Sequence, residues 1–331
     1  MVSGAATSRL AVRILEDFDD LALDAGRWDR LLASGPTNAA CLTLDWQREW
    51  WRAYGSGRLI LVIAEQAGEP RAIAPLYADD DMLFLGSDES DAIDFIGHLD
   101  ERVLTEMLAA ARQQLPEFAG MHLYNVPAES STTALLPGVA ARLGLDLCSM
   151  YDLGAPYLDL TDVQRVMQVI ERRKLRNQAS SMSREGALRI RLAAPEDLDP
   201  WLDRFFAQHV ARWTDQGDTK FDDETRRDFC RALVHAGHHA GWLRFTMLEW
   251  RGLPAAFDIT LVRGDRHLAF LVSRDPSITR HSPGKLLQAH VIRAALESGA
   301  KRYEFGIGDQ EYKLSRASAT PRVVSWAMWP Q

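Results

Sequence analysis

The chain has 331 residues, is 47% hydrophobic and 25% charged, and carries a formal net charge of −8. This length favours two domains that each bury a core, and the composition excludes a disordered, collagen-like or coiled-coil chain. The longest apolar runs, such as Leu59 to Ala64, fall far short of the ~20 residues that a bilayer span needs, Met1 to Leu10 lacks a basic-then-apolar leader, and Cys41, Cys148 and Cys230 are too far apart for a disulfide framework or a metal clamp. A reduced cytoplasmic protein without a membrane partner is the expectation.

In chain order, the first half predicts a strand at Leu10 to Ile14, a helix over Leu21 to Leu32, and a second helix from Thr43 through Trp51 that Gly55 and Gly57 end. A hairpin follows, Arg58 to Glu65 and Arg71 to Tyr77, with a strand at Met82 to Leu85. Glu101 to Leu115 reads as an amphipathic helix, Met121 to Val126 as a strand, Ser131 to Leu143 as a helix and Leu145 to Met150 as a strand. The second half predicts one basic helix over Asp162 to Arg184, a strand at Ala187 to Leu192, and helices over Pro195 to Thr214 and Asp222 to Ala236. A meander of Trp242 to Glu249, Ala255 to Val262 and His267 to Ser273 leads through Ser282-Pro-Gly into a helix over Lys285 to Glu297. Strands at Arg302 to Gly306 and Val323 to Trp329 close the chain. Both halves run strand, helices, meander, helix, strand, which predicts two related mixed α/β modules, 1–155 and 156–331, joined near Gly154-Ala-Pro156.

Charge is unevenly shared. Residues 1–150 hold 11 Lys and Arg against 23 Asp and Glu, whereas Arg165 to Arg191 is locally +6. Such a stretch is either a solvated helix face or a contact for donor phosphates. The acidic total disfavours nucleic acid in general, tRNA being the exception that the basic helix permits.

Two stretches concentrate chemistry. The helix start at Ser282-Pro-Gly284-Lys285-Leu286-Leu287 offers backbone N–H groups and one ammonium to a pyrophosphate; an ordinary Ser-Pro cap is the alternative. The strand at Arg302 to Gly306 runs into Asp309, Glu311, Tyr312 and Lys313, where open α/β sheets build sites. His235, His238 and His239 lack a carboxylate or cysteine at metal-ligand spacing, so they read as a frayed helix end and no metal is expected. Asp258 reads as an outward strand position, with a substrate-facing one as the alternative. Trp28, Trp46, Trp50 and Trp201 lie on apolar helix faces and read as core.

The meander, Ser282-Pro-Gly-x-Leu-Leu287 and Gly308-Asp-x-x-Tyr-Lys313 resemble the GNAT-superfamily acyltransferases of the CelD-like type, kin of the Fem-type peptidyltransferases. Phe205 to Trp213 resembles the His-x-x-Arg-Trp helix of that family, Gly86 to Asp94 its Asp-x-x-Asp segment, and Trp46 to Trp51 its early helix, so the likeness spans roughly residues 28 to 315. The sequence departs from the family at His281-Ser-Pro-Gly284-Lys-Leu286, which lacks the first residue and the second small residue of the usual acyl-CoA signature. The resemblance implies an α/β fold of two tandem GNAT-like modules, each a mostly antiparallel mixed sheet flanked by helices. It implies acyl transfer from acyl-CoA, as co-substrate, to an amine on a small molecule, sugar or peptide. Donor contacts then fall on Ser282, Gly284, Lys285, Leu286 and Leu287. Asp309 or Glu311 takes a proton or orients the acceptor, Tyr312 protonates the leaving group, and Lys313 stabilises the developing anion unless it merely pairs with Glu311. His209 is a base or a buried ring, and Arg212 is a partner for Asp91 or Asp94. An aminoacyl-tRNA-dependent transferase and a catalytically inactive GNAT-like scaffold are the alternatives.

Overall fold

The structure is a computed structural model describing residues 10–331 except 22, 88, 117–118 and 214–220. It divides into two compact units, one of residues up to 154 together with 321–331, the other of 155–320.

The first unit contains β1 (Leu10–Leu15), α1 (Ala25–Ser34), α2 (Leu44–Tyr54), β2 (Arg58–Gln66), β3 (Glu69–Ala78), β4 (Met82–Phe84), β5 (Ile96–Gly97), α3 (Glu101–Arg112), β6 (Met121–Pro127), α4 (Ser131–Leu143) and β7 (Leu145–Gly154). Helix starts follow side-chain chemistry: Thr43 accepts from the Trp46 amide, and Asp100 from the Val103 amide at 2.8 Å. Strands β1 to β4 pair antiparallel in sequence order, and β4 meets β6 in parallel through Met82 and Leu83.

The second unit contains β8 (Tyr157–Asp159), α5 (Val163–Ile170), α6 (Arg173–Glu185), β9 (Leu188–Leu192), α7 (Leu198–Trp213), α8 (Glu224–Ala240), β10 (Leu243–Trp250), β11 (Leu253–Arg263), β12 (Arg266–Arg274), α9 (Pro283–Glu297), β13 (Arg302–Glu304) and α10 (Glu311–Leu314). Its sheet runs β8-β13-β12-β11-β10-β9, with β12 and β13 parallel and the other neighbours antiparallel. Helix α9 lays Leu287, Val291, Ile292 and Ala295 on one face of this sheet, among Leu158, Leu248, Ala256 and Tyr303. Helix α7 covers the other face, where the Trp201 ring meets Phe245 edge-on at 5.5 Å.

Three expectations change. The single basic helix is two, α5 and α6. α5 buries Val166, Val169 and Ile170, and one continuous helix would carry that stripe onto Arg173, Lys174 and Asn177, driving two charges into the core. The histidines of α8 are not frayed: the helix runs on to Ala240 and is closed by Gly241 at φ 78°, with His235 on Asp199 at 3.0 Å and His238 on the Ala193 carbonyl at 3.2 Å.

The third change concerns the last strand, β14 (Arg322–Pro330), expected in the module 156–331. It lies instead between β6 and β7 in the first sheet, antiparallel to both, with the order β1-β2-β3-β4-β6-β14-β7. The place beside β13 is taken by β8. Among the described residues no helix is long and apolar enough to cross a membrane.

Candidate active site

The site is built from the start of α9 outward. Most helices here are capped by a side chain, but Ser282 makes no such bond; its hydroxyl accepts from the Gln178 amide of α6 at 3.2 Å. The Lys285 and Leu286 amides both turn back to the Ser282 carbonyl, at 3.0 and 3.1 Å. The side chain of Leu287 is core, and Leu286 packs at the margin of the same core, so neither offers its side chain to a polar ligand. Lys285 is exposed. A Cβ added at Gly284 would meet only the Arg274 side chain, at 3.8 Å and beyond, so the glycine keeps the helix mouth open rather than relieving a clash.

Cations gather around that mouth. A cleft of about 540 Å³ is lined by Arg173, Lys174, Gln178 and Glu185 of α6 and by Arg280 and His281 ahead of α9. His281 faces Glu185 at 3.3 Å and sits edge-on to Trp250 at 5.5 Å. Bonding from His281 and Ser181 holds the Glu185 carboxyl below its ordinary range.

The far end of α7 meets the same region. Its Gln208 donates to the Pro254 carbonyl at 2.7 Å and accepts from the Ser273 hydroxyl at 3.1 Å, which fixes the helix against the end of β12. Burial and then the neighbouring Arg274 depress Arg212, while Tyr312 supports its charge. Burial likewise depresses Arg316, with Arg172 adding to the effect. Two half-buried guanidiniums each crowded by another make this part of the unit a place that attracts anions.

The segment 309–313 stands beside the helix mouth. Arg316 donates to the Gln288 side-chain carbonyl one turn into α9, and Tyr312 lies within electrostatic reach of both Arg212 and Arg316. Asp309, Glu311 and Tyr312 are exposed, and burial of part of its surface raises the Tyr312 phenol, which favours the protonated form. Lys313 is buried at 8% exposure, and its ammonium donates to the carbonyls of Ile307 at 2.6 Å and Gly306 at 3.3 Å, so it braces the loop that carries Asp309.

His209 sits on α7 one turn before Arg212, in aromatic packing, with its ring 4.8 Å from Phe221 and edge-on to it. The side chain of Trp213 lies outside the described residues. Asp94, offered as a partner for Arg212, is fully buried and accepts from Thr37, Ser130, Thr132 and the Phe95 amide at 2.6 to 2.9 Å, all within the first unit.

Asp258 was expected outward and is instead 1% exposed in the middle of β11. It accepts from Thr260 at 2.5 Å, and burial pushes its carboxyl up to about 6. Tyr303 of β13, fully buried, is within its electrostatic reach. The sequence did carry a signal: Asp258 and Thr260 are two polar residues at period two within Ala255-Ala-Phe-Asp-Ile-Thr-Leu-Val262.

Residues 171–314 match the family described as acetyltransferase (GNAT) domain. The second unit therefore carries a GNAT domain. Solved structures similar to the chain include FemX (TM-score 0.65, 11% identity, 93% of this chain and 96% of that one) and L-PGS from Bacillus licheniformis (0.58, 13%, 93% and 92%). A tandem GNAT protein from the clavulanic acid biosynthesis pathway is also similar (0.52, 13%, 98% and 99%). At these identities the likeness is one of fold, and it runs across both units. No curated protein matches the chain in sequence. The two mixed sheets flanked by helices agree with a tandem GNAT fold.

Proposed function

We propose that the second unit transfers an acyl group from acyl-CoA to an amine of a small molecule, sugar or peptide in the cytoplasm. The observation that carries this reading is the cation-lined cleft at the uncapped start of α9. Acyl-CoA supplies an activated thioester on a carrier rich in phosphate. Arg173, Lys174, Arg280 and Lys285 offer charge to those phosphates, and the helix start offers its dipole. Tyr312, raised toward its protonated form, suits the donation of a proton to the departing thiolate. Asp309 and Glu311 are exposed where an ammonium acceptor can be drawn in. Lys313 reads better as the brace of their loop than as the stabiliser of an anion.

The charged face of α6 favours a second donor, aminoacyl-tRNA, which presents the same phosphate chemistry at larger scale. One experiment separates these readings and tests the first: thiol release and acceptor mass gain are followed across several acyl-CoAs, with and without RNase, alongside calorimetry with CoA. Heat with CoA and RNase-insensitive thiol release support acyl-CoA, and transfer abolished by RNase supports tRNA. No heat and no transfer with either donor leaves a binding scaffold and ends the proposal.

A further inference from the structure

The cleft between α6 and the start of α9 is braced before anything enters it. The Gln178 amide donates to the Ser282 hydroxyl at 3.2 Å, and His281 faces Glu185 at 3.3 Å, so two bonds tie α6 to the segment that leads into α9. Arg251, its guanidinium over the Trp250 ring at 4.2 Å, reaches the same carboxylate at 3.6 Å. A space of about 540 Å³ held this way is the size of a small-molecule site and larger than a single phosphate fills.

Its charge is uncompensated. Arg173 and Lys174 of α6 and Arg280 ahead of α9 line it, all three exposed, and among the described residues none of them makes a side-chain hydrogen bond or an ion pair. The carboxylate of the lining, Glu185, is taken by His281, by Arg251 and by the Ser181 hydroxyl at 3.1 Å. A concave surface of this sign repels an ammonium acceptor and gathers anions, so the cleft belongs to the donor. Its wall also carries the side-chain amides of Asn177 and Gln178. The Gln178 oxygen is shut off from water and has no partner among the described residues, an acceptor for which the fold supplies no N–H.

We propose that this cleft holds the adenosine 3′-phosphate end of CoA, with Arg173, Lys174 and Arg280 on the ribose phosphate and the Asn177 and Gln178 amides toward the adenine. This rests on the reading of the second unit as an acyl-CoA transferase and names the part of the donor that its specificity depends on. Pantetheine is uncharged and gives three cations nothing to bind. The pyrophosphate has Lys285 and the dipole of α9 at the helix mouth, on the side where Gly284 faces Arg274. The ribose phosphate is the anion that remains, and it comes with a base whose amino and ring nitrogen edge is matched by a side-chain amide. Arg173, Lys174 and Arg280 are therefore specificity residues that separate CoA from dephospho-CoA, which lacks only that phosphate.

The test is calorimetry on the full chain with CoA, dephospho-CoA and adenosine 3′,5′-bisphosphate. Wild type should bind dephospho-CoA about 10- to 100-fold more weakly than CoA, the loss of charge-assisted bonds to one phosphate, and raised salt should narrow the gap. In the double variant Arg173→Gln/Lys174→Gln the ratio of the two dissociation constants should fall toward one, and Arg173→Lys/Lys174→Arg should keep most of it. Both positions are exposed and unbonded, so these variants keep the fold. Equal binding of CoA and dephospho-CoA by wild type overturns the inference and leaves the acyl-CoA reading standing, and a gap that survives in the Gln variant overturns it as well. If CoA gives no heat at all, the acyl-CoA reading fails, and the bisphosphate still decides the cleft. Binding of that probe that the Gln variant loses supports an adenosine phosphate site, and no binding removes it.

Discussion

Lys313 shows how a residue can matter to a site without touching what is bound there. Its ammonium is the donor for the Gly306 and Ile307 carbonyls, and Gly306 and Gly308 flank that point in left-handed backbone at φ 78° and 116°. Lys313→Met keeps the stem and removes the donor, leaving two carbonyls short of a partner. We expect a loss of about 1 to 3 kcal/mol in urea unfolding, with CoA heat retained and turnover reduced because the loop bearing Asp309 loosens. Unchanged urea stability would show that water replaces the ammonium. Asp258 should behave oppositely. Its folded carboxyl is raised to about 6 from an ordinary 3.8, so the folded state binds protons more tightly than the unfolded state, and stability falls as pH rises from about 4 to 6. The cost at neutral pH is roughly 3 kcal/mol. Asp258→Asn should therefore be more stable than wild type at pH 7, with the advantage gone by about pH 4. His267, held down to about 4 by burial and then by Arg244, has the reverse sign: it destabilises as pH falls from about 6.5. In wild type the two slopes oppose each other, and the Asn variant should show a pH slope displaced toward the histidine sign in urea midpoints taken across pH 4 to 7. A variant that gains nothing at neutral pH would mean that Asp258 is better solvated than its burial implies.

Among the elements, α9 carries the donor reading, and Gly284 tests it. The room around Gly284 admits a Cβ in ordinary contact with Arg274, so Gly284→Ala should fold with unchanged or slightly higher stability, alanine being the better helix former. Gly284→Trp fills the mouth of the helix; CoA heat should vanish in it while the melting temperature holds. Normal CoA binding by the Trp variant would place the donor elsewhere. This helix, and the meander of β10 to β12 before it, were legible in the sequence because Leu287, Val291 and Ala295 repeat at helical spacing and Gly252, Gly264 and Gly299 mark the turns. The break between α5 and α6 was hidden by a run of charge that a solvated helix tolerates as well as two helices do. Strand β8 is three residues long, too short to show a period. Which polar residue of a strand faces inward depends on neighbours far away in sequence, so Asp258 was read onto the wrong side although Thr260 stood two residues on. Of the expected site, Ser282 to Lys285 open α9, Asp309 to Lys313 follow β13, and His209 lies in aromatic packing.

For the molecule as a whole, the least legible feature is the return of the chain to its beginning. Nothing local in Arg322 to Pro330 says that its partners are β6 and β7, some two hundred residues earlier, because an alternating strand is the same strand in either sheet. The pairing has a thermodynamic consequence. Strand β7 has β14 as its ladder neighbour and β6 has it on one side, so the first unit cannot complete its sheet until the second has been synthesised. Val323, Ala327 and Met328 are buried there, and the Ser325 hydroxyl accepts from the Asn125 amide at 3.1 Å. Residues 155–320 have their own sheet and their own core under α9, and depend on β14 for neither. A chain ending at residue 320 should therefore lose amide protection over 121–127 and 145–154 in hydrogen exchange while β10, β11 and β12 stay protected as in the full chain. A synthetic peptide of residues 321–331 added in excess should restore the lost protection, since the missing element is a strand and the groove between β6 and β7 defines its register. Full protection of β6 in the truncated chain, without peptide, would show that the first sheet closes on itself and that β14 is an accessory to it.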